Sequence, residues 1–216
     1  MRILTLTHGE NVGPELFADE AAAAGHELQT WDMQTQGPPP RDVDAVAVFG
    51  GHQNVGEEAQ YPWLHDEYDA LRAWVDDGVP LLAVCLGAQA LAHALGAAVE
   101  RRDEQLAGFY PTELTAEGAA DPVLGSLPRR FEPFNGNAYT FELPREAVLL
   151  ADGPCLQAYR VGGRAWAVQF HPELKRPTFL SWFPDRELAD VGEKLAAWRP
   201  LGTRLFGAFF AAASEA

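Results

Sequence analysis

Positive charge is scarce in this chain: 16 Lys and Arg stand against 31 Asp and Glu, a formal net charge of −15 over 216 residues. A polyanion or an anionic bilayer would be repelled, so nucleic-acid and membrane-surface partners are not expected. No apolar run is long enough to span a bilayer. The opening Met1–His8 is too short and too soon polar to read as a secretory signal. There are only two cysteines, Cys85 and Cys155, too few for a disulfide framework, which fits a reducing cytoplasm. Neither Cys-x-x-Cys nor His-x-x-x-His spacing occurs, so no metal site is expected. G-x-G-x-x-G and Walker segments are also missing, so the chain carries no nucleotide-activating unit, and no cofactor is expected.

What remains is ordinary soluble material, 47% hydrophobic and 22% charged, enough for one domain over 1–216 with a sizeable core. The first half alternates strand and helix patterns. Ile3–Thr7 is an apolar strand, and Asn11-Val12-Gly13-Pro14 opens a helix with Pro14 at its first position. Gly25 ends that helix; Glu27–Asp32 and Val43–Phe49 are further strands, separated by the rigid loop Gln36–Pro40. Leu64, Tyr68, Leu71 and Val75 recur at helical intervals before Gly78. This order predicts a three-layer α/β sandwich, a mainly parallel sheet with helices on both faces. The second half adds an antiparallel extension. Phe109–Thr115 alternates, Ala147–Leu150 is apolar, and Gly162-Gly163 reads as a two-residue hairpin between Leu156–Val161 and Arg164–Phe170. Two terminal helices are expected within about 187–213, Glu187–Trp198 and Leu201–Ala213, parted at Arg199-Pro200.

Three strand ends carry chemistry-bearing residues. Pro80-Leu81-Leu82-Ala83-Val84-Cys85-Leu86-Gly87-Ala88-Gln89 passes from a buried strand to a helix with no intervening loop. A nucleophile on so tight a turn is pushed out of the sheet, and small residues two before and two after it, Ala83 and Gly87, make room. The helix start supplies free N–H groups and a positive dipole end, which favour a thiolate. An inert core cysteine is the competing reading. Gln169-Phe170-His171-Pro172-Glu173 closes the apolar run Ala165–Val168. A histidine there, with a carboxylate two residues on, can act as a base held in one tautomer; an unrelated surface pair looks the same. Val46-Ala47-Val48-Phe49-Gly50-Gly51-His52-Gln53-Asn54 ends a strand in paired glycines, which let N–H groups approach a ligand or form an ordinary turn.

In this order, within about 125 residues, FGGHQN, VCLGAQ and VQFHPE resemble the oxyanion loop, nucleophile elbow and Q-F-H-P-E segment of the class I, or triad, glutamine amidotransferases. The likeness covers roughly residues 1 to 182 and is nearest to stand-alone members similar to the glutaminase part of GMP synthetase. It implies Cys85 as nucleophile, His171 as base and acid, and Glu173 as its orienter. The oxyanion would rest on the Leu86 N–H and one N–H from Gly50-Gly51. Gln89 matches the position that contacts glutamine, and is equally readable as a polar residue tying down a neighbouring loop. His52 replaces a frequent proline, either lining the pocket or facing solvent; Cys155 reads as structural. Where relatives carry W-H-G-D-T-F, this chain has Gly136-Asn137-Ala138-Tyr139-Thr140-Phe141, so donor or acceptor preference can differ.

The resemblance implies release of ammonia from L-glutamine through a γ-glutamyl thioester, with a synthetase or acceptor-enzyme partner. The same residues would serve a γ-glutamyl peptidase or hydrolase, and a catalytically idle regulatory subunit is a third reading.

Overall fold

The structure is a computed structural model that describes residues 1–9, 12–183 and 188–215. Its first half alternates as expected: β1 (Arg2–His8), α1 (Glu15–Ala23), β2 (Glu27–Asp32), α2 (Met33–Gln36), β3 (Ala45–Gly51), α3 (Trp63–Asp76), β4 (Leu81–Val84) and α4 (Leu86–Ala94). The second half holds β5 (Val99–Arg101), β6 (Gly108–Phe109), β7 (Thr112–Leu114), α5 (Ala116–Ala120), β8 (Arg130–Phe131), β9 (Phe134–Asn135), β10 (Tyr139–Phe141), β11 (Val148–Asp152), β12 (Leu156–Val161) and β13 (Ala165–Val168). Two helices follow, α6 (Arg176–Trp182) and α7 (Leu188–Ser214).

One nine-stranded sheet runs β2-β1-β3-β4-β13-β12-β11-β7-β8. From β2 to β13 every pairing is parallel, and from β13 to β8 every pairing is antiparallel. Strand alternation assigns each face its helices. Ala45, Ala47 and Phe49 of β3 pack with Phe17 of α1 and with Phe206 and Phe209 of α7. Val46 and Val48 of the same strand pack with Leu64, Leu71 and Trp74 of α3 and with Leu91 of α4. Both layers are buried, which is why β3, β4 and β13 read as continuous apolar runs rather than alternating ones.

Four local expectations need correction. The terminal helix is continuous from Leu188 through Pro200 to Ser214. Its buried stripe includes Leu195 and Trp198 before the proline and Leu205, Phe206 and Phe209 after it. Packing on both sides of the break outweighs a penalty of about 3 kcal/mol. The expected start at Glu187 lies outside the described residues, as does Asn11. Pro14 caps α1 instead of being its first residue, and Glu15 begins the helix with φ 37. The hairpin loop between β12 and β13 has three residues, because Val161 pairs with Ala165; Gly162 and Gly163 both take positive φ there. Finally, Phe109–Thr115 is split by Pro111, with β6 pairing β9 and β7 joining the main sheet.

Candidate active site

The C-terminal ends of β3, β4 and β13 meet at one edge of the parallel half-sheet, where ligands of such sheets bind. Cys85 directly follows β4 with φ 53 and ψ −107, a strained conformation for a side-chain-bearing residue, and caps α4. Its N–H donates to the Val168 carbonyl at 2.9 Å, tying the elbow to β13. Gly87 lets α4 lie close on β3: a Cβ there would stand 2.7 Å from the Val48 carbonyl oxygen.

His171 is 2% exposed, and its Nδ1 lies 2.7 Å from Glu173 Oε1. Burial alone would lower the pKa of the ring. The adjoining Cys85 sulfur, and then the Glu173 carboxylate, outweigh that and hold it well above the ordinary histidine value. Nε2 is buried and has no hydrogen bond of normal geometry among the described residues. Such bonds often tighten only when substrate arrives. Gly50 sits between the two side chains: a Cβ on it would be 3.3 Å from His171 Cε1, 3.6 Å from Cys85 Cβ and 4.0 Å from Cys85 Sγ.

Cys85, His171, Gly51, His52 and Gly136 share a cavity of about 300 Å³. Leu86 follows the nucleophile as the first residue of α4, so its N–H is one of the helix's free donors. Gln89 is 4% exposed; its amide donates to Gln169 Oε1 at 3.1 Å and to the Tyr139 carbonyl at 3.3 Å. That places it as a tie between α4, β10 and the segment before His171. Of the departures in the 136–139 segment, Gly136 lines the cavity. Asn137 is buried with its amide on the Tyr139 carbonyl, 2.8 Å away, and Tyr139 of β10 pairs with Arg101 of β5.

Several supporting residues were not evident from sequence. Trp198 of α7 donates from Nε1 to the His171 carbonyl at 3.1 Å, and Gly202 lets the helix come so near that a Cβ would lie 2.4 Å from the Pro172 carbonyl oxygen. The Glu15 carboxylate accepts from the Lys175 N–H at 2.6 Å and from the Thr178 hydroxyl. Thus α1 and α7 together fix the His171–Glu173 segment. His8 and Glu67 form a second buried histidine–carboxylate pair beside Gly50. The available signals were a histidine ending β1 and a carboxylate on the apolar stripe of α3, between Leu64 and Leu71.

The two thiols differ in setting. Cys85 opens on the cavity, facing His171 and the start of α4. Burial pushes the Cys155 thiol up, against weaker opposing influences from Arg102, Asn137, Thr140 and Gln157. The thiolate is the reactive form. Brief, limiting alkylation near neutral pH, read by peptide mapping, is therefore expected to label Cys85 first. Prior labelling of Cys155 would contradict that ordering.

Among the described residues no group of three or more His, Cys, Asp or Glu could hold a metal ion, and no helix is long and apolar enough to cross a membrane.

The sequence profile of the glutamine amidotransferase class-I family matches residues 15–179. The chain is 35% identical over 140 residues to a GMP synthase (glutamine-hydrolyzing) of Aeropyrum pernix, covering 63% of this chain and 26% of that protein. It is 24% identical over 177 residues to the GMP synthase of Thermosipho africanus, covering 80% of this chain and 32% of the relative. It thus spans about a third of the length of such relatives. A glutamine amidotransferase-like protein of Salmonella typhimurium, YfeJ, is 29% identical over 168 residues, 73% of this chain and 69% of that one. In fold, a glutamine amidotransferase from Thermotoga maritima superposes with a TM-score of 0.86 at 24% identity, covering 100% of this chain and 99% of that one.

Proposed function

Because the chain belongs to the class I glutamine amidotransferase family, we propose that it hydrolyses the side-chain amide of L-glutamine with Cys85 as nucleophile, His171 as general base and acid, and Glu173 as orienter. The carrying observation is the His171 ring. One nitrogen is bonded to a buried carboxylate, the other is left for the nucleophile, and the pKa is raised chiefly by Cys85. In this reading the thiolate attacks the amide carbon. The oxyanion that forms is met by the Leu86 N–H and an N–H of the Gly50-Gly51 loop. His171 then gives its Nε2 proton to the departing nitrogen, the C–N bond breaks, and ammonia leaves a γ-glutamyl thioester. Water, deprotonated by His171, attacks the thioester; glutamate departs and the thiolate is restored.

The matched relatives are named GMP synthases (glutamine-hydrolyzing), proteins that join glutamine hydrolysis to a synthesis, and by that likeness we propose a synthetase or acceptor enzyme as the ammonia consumer. A coupled assay for free ammonia with purified protein and L-glutamine tests the reading. Ammonia is expected in step with glutamate, lost on Cys85 alkylation; no turnover of glutamine or any γ-glutamyl compound would overturn it.

A second reading, a γ-glutamyl peptidase, is favoured by Gly136. A Cβ at that position would sit 3.8 Å from His171 Nε2 and 3.1 Å from Phe134. The space beside the proton donor is where a leaving group larger than ammonia would have to fit.

A further inference from the structure

His8 ends β1 opposite Gly51 of β3 and is wholly buried. Its Nε2 lies 2.6 Å from Glu67 Oε2, and its Nδ1 lies 2.9 Å from the Gly50 carbonyl oxygen. Glu67 is also fully buried, on α3, and Trp63 of the same helix stacks on the imidazole with ring centroids 5.2 Å apart. Both partners of the ring are acceptors. A neutral imidazole has one N–H, so both contacts are hydrogen bonds only when the pair holds two protons. That means an imidazolium against a carboxylate, or an Nδ1–H imidazole against a carboxylic acid. Burial opposes the charge, but Glu67, the Gly50 carbonyl and, more weakly, Asp32 together raise the pKa of His8. In either form Nδ1 donates to Gly50.

A buried pair of this kind is poor value as a fold stabiliser, since apolar residues of similar volume often do as well. Its distinctive consequence is a fixed direction for one peptide. Two consecutive glycines restrain their shared peptide plane very little. No peptide bond here is cis, so carbonyl and N–H point oppositely, and holding the Gly50 oxygen turns the Gly51 N–H away from His8. Gly51 lines the cavity with Cys85, and it must be glycine, because a Cβ there would be 2.9 Å from His8 Cβ and 2.8 Å from Leu86 Cδ2.

We propose that His8 and Glu67 form a positioning dyad: the Nδ1–H bond to the Gly50 carbonyl locks the Gly50–Gly51 peptide so that the Gly51 N–H faces the oxyanion formed at Cys85. The proposal rests on the hydrolase reading above. His8 touches no reacting atom and acts only through the loop.

The test compares His8→Gln with His8→Asn, each with Glu67→Gln so that no buried carboxylate is left alone. Asparagine places an amide nitrogen near the Nδ1 position and can restore the bond to Gly50; glutamine reaches toward position 67 and cannot. Two readouts are taken: kcat and KM on an activated γ-glutamyl ester, and the rate of Cys85 alkylation by iodoacetamide, a reaction that forms no oxyanion. With His8→Gln, kcat is expected to fall about 10- to 100-fold with KM and alkylation nearly unchanged. With His8→Asn, kcat should return to within about threefold of the parent. Unchanged kcat in the glutamine variant, or a parallel loss of alkylation, would overturn the dyad. Should the unmodified protein hydrolyse nothing, the hydrolase reading fails instead. The nitrogen-15 NMR spectrum of the unmodified protein then decides the clamp. An exchange-protected Nδ1–H on His8 supports it, and a ring protonated only at Nε2 overturns it.

Discussion

Replacing Cys85 with alanine is expected to remove turnover altogether, a loss of roughly 10⁴-fold or more, while Glu173→Gln retains measurable activity. The thiol forms and breaks the bond to the acyl carbon; among the described cavity-lining residues the only other hydroxyl or thiol is Ser181, whose hydroxyl donates to the Thr178 carbonyl at 2.8 Å. Glu173 acts one step removed, through the 2.7 Å contact with His171 Nδ1. Glutamine at 173 can still accept that N–H, so the ring keeps its orientation, but the negative charge that favours the imidazolium is gone. The expected loss is about 10²- to 10⁴-fold in kcat. The double variant should be no worse than Cys85→Ala alone, because members of such a set act as a unit. The elbow adds a second readout. Cys85 holds φ 53, a region that glycine enters without strain. Cys85→Gly should therefore be as inactive as the alanine variant yet melt at a higher temperature than it. Equal and total loss on Glu173→Gln with the fold intact would assign Glu173 a more direct role, and turnover in Cys85→Ala as high as in Glu173→Gln would remove the cysteine from the mechanism.

The parallel half of the fold was legible because local and global signals agree there. Apolar runs are flanked by Gly25, Gly78 and helical spacing, and the same strands that form the sheet lead into Gly50-Gly51, Cys85 and His171. What stayed hidden depends on partners distant in sequence. Pro200 is a break signal by every local rule, yet aromatic residues on both sides of it share one buried stripe, and packing decides. The split at Pro111 follows from which strands β6 and β7 meet, and no window of the chain contains that information. The same holds for the site. Cys85 and the His171–Glu173 pair are readable from contiguous segments, whereas His8 and Glu67 meet across 59 positions. Glu67 did carry a trace, a charged residue where the helical period calls for an apolar one. Asn137 is the reverse case: the altered segment drew notice to it, but its amide is committed to the Tyr139 carbonyl, and the change facing the cavity is its neighbour.

Gly136→Trp is accordingly expected to separate the two substrate classes. Gly136 is not among the glycines at positive φ, so its backbone accepts a side chain. Space alone decides the outcome. A Cβ there meets Phe134 Cε1 at 3.1 Å, a contact that a small ring shift relieves, and then points past His171 Nε2 at 3.8 Å. An indole in that direction would occupy the volume beside the atom that protonates the leaving group. Ammonia needs almost none of that volume, whereas an anilide or a γ-glutamyl peptide must place its amine portion there. The variant should therefore lose kcat/KM on bulky γ-glutamyl amides by about 10- to 200-fold, the range of a steric change in a pocket. Glutamine hydrolysis should stay within about threefold. Gly136→Ala, with only the Cβ added, should show the same ordering on a smaller scale and guards against general disruption. Parallel loss on all substrates in both variants, with Cys85 alkylation also slowed, would mean that the segment is scaffold. Parallel retention would mean that the leaving group exits elsewhere, and either result would withdraw the support that Gly136 lends to the peptidase reading.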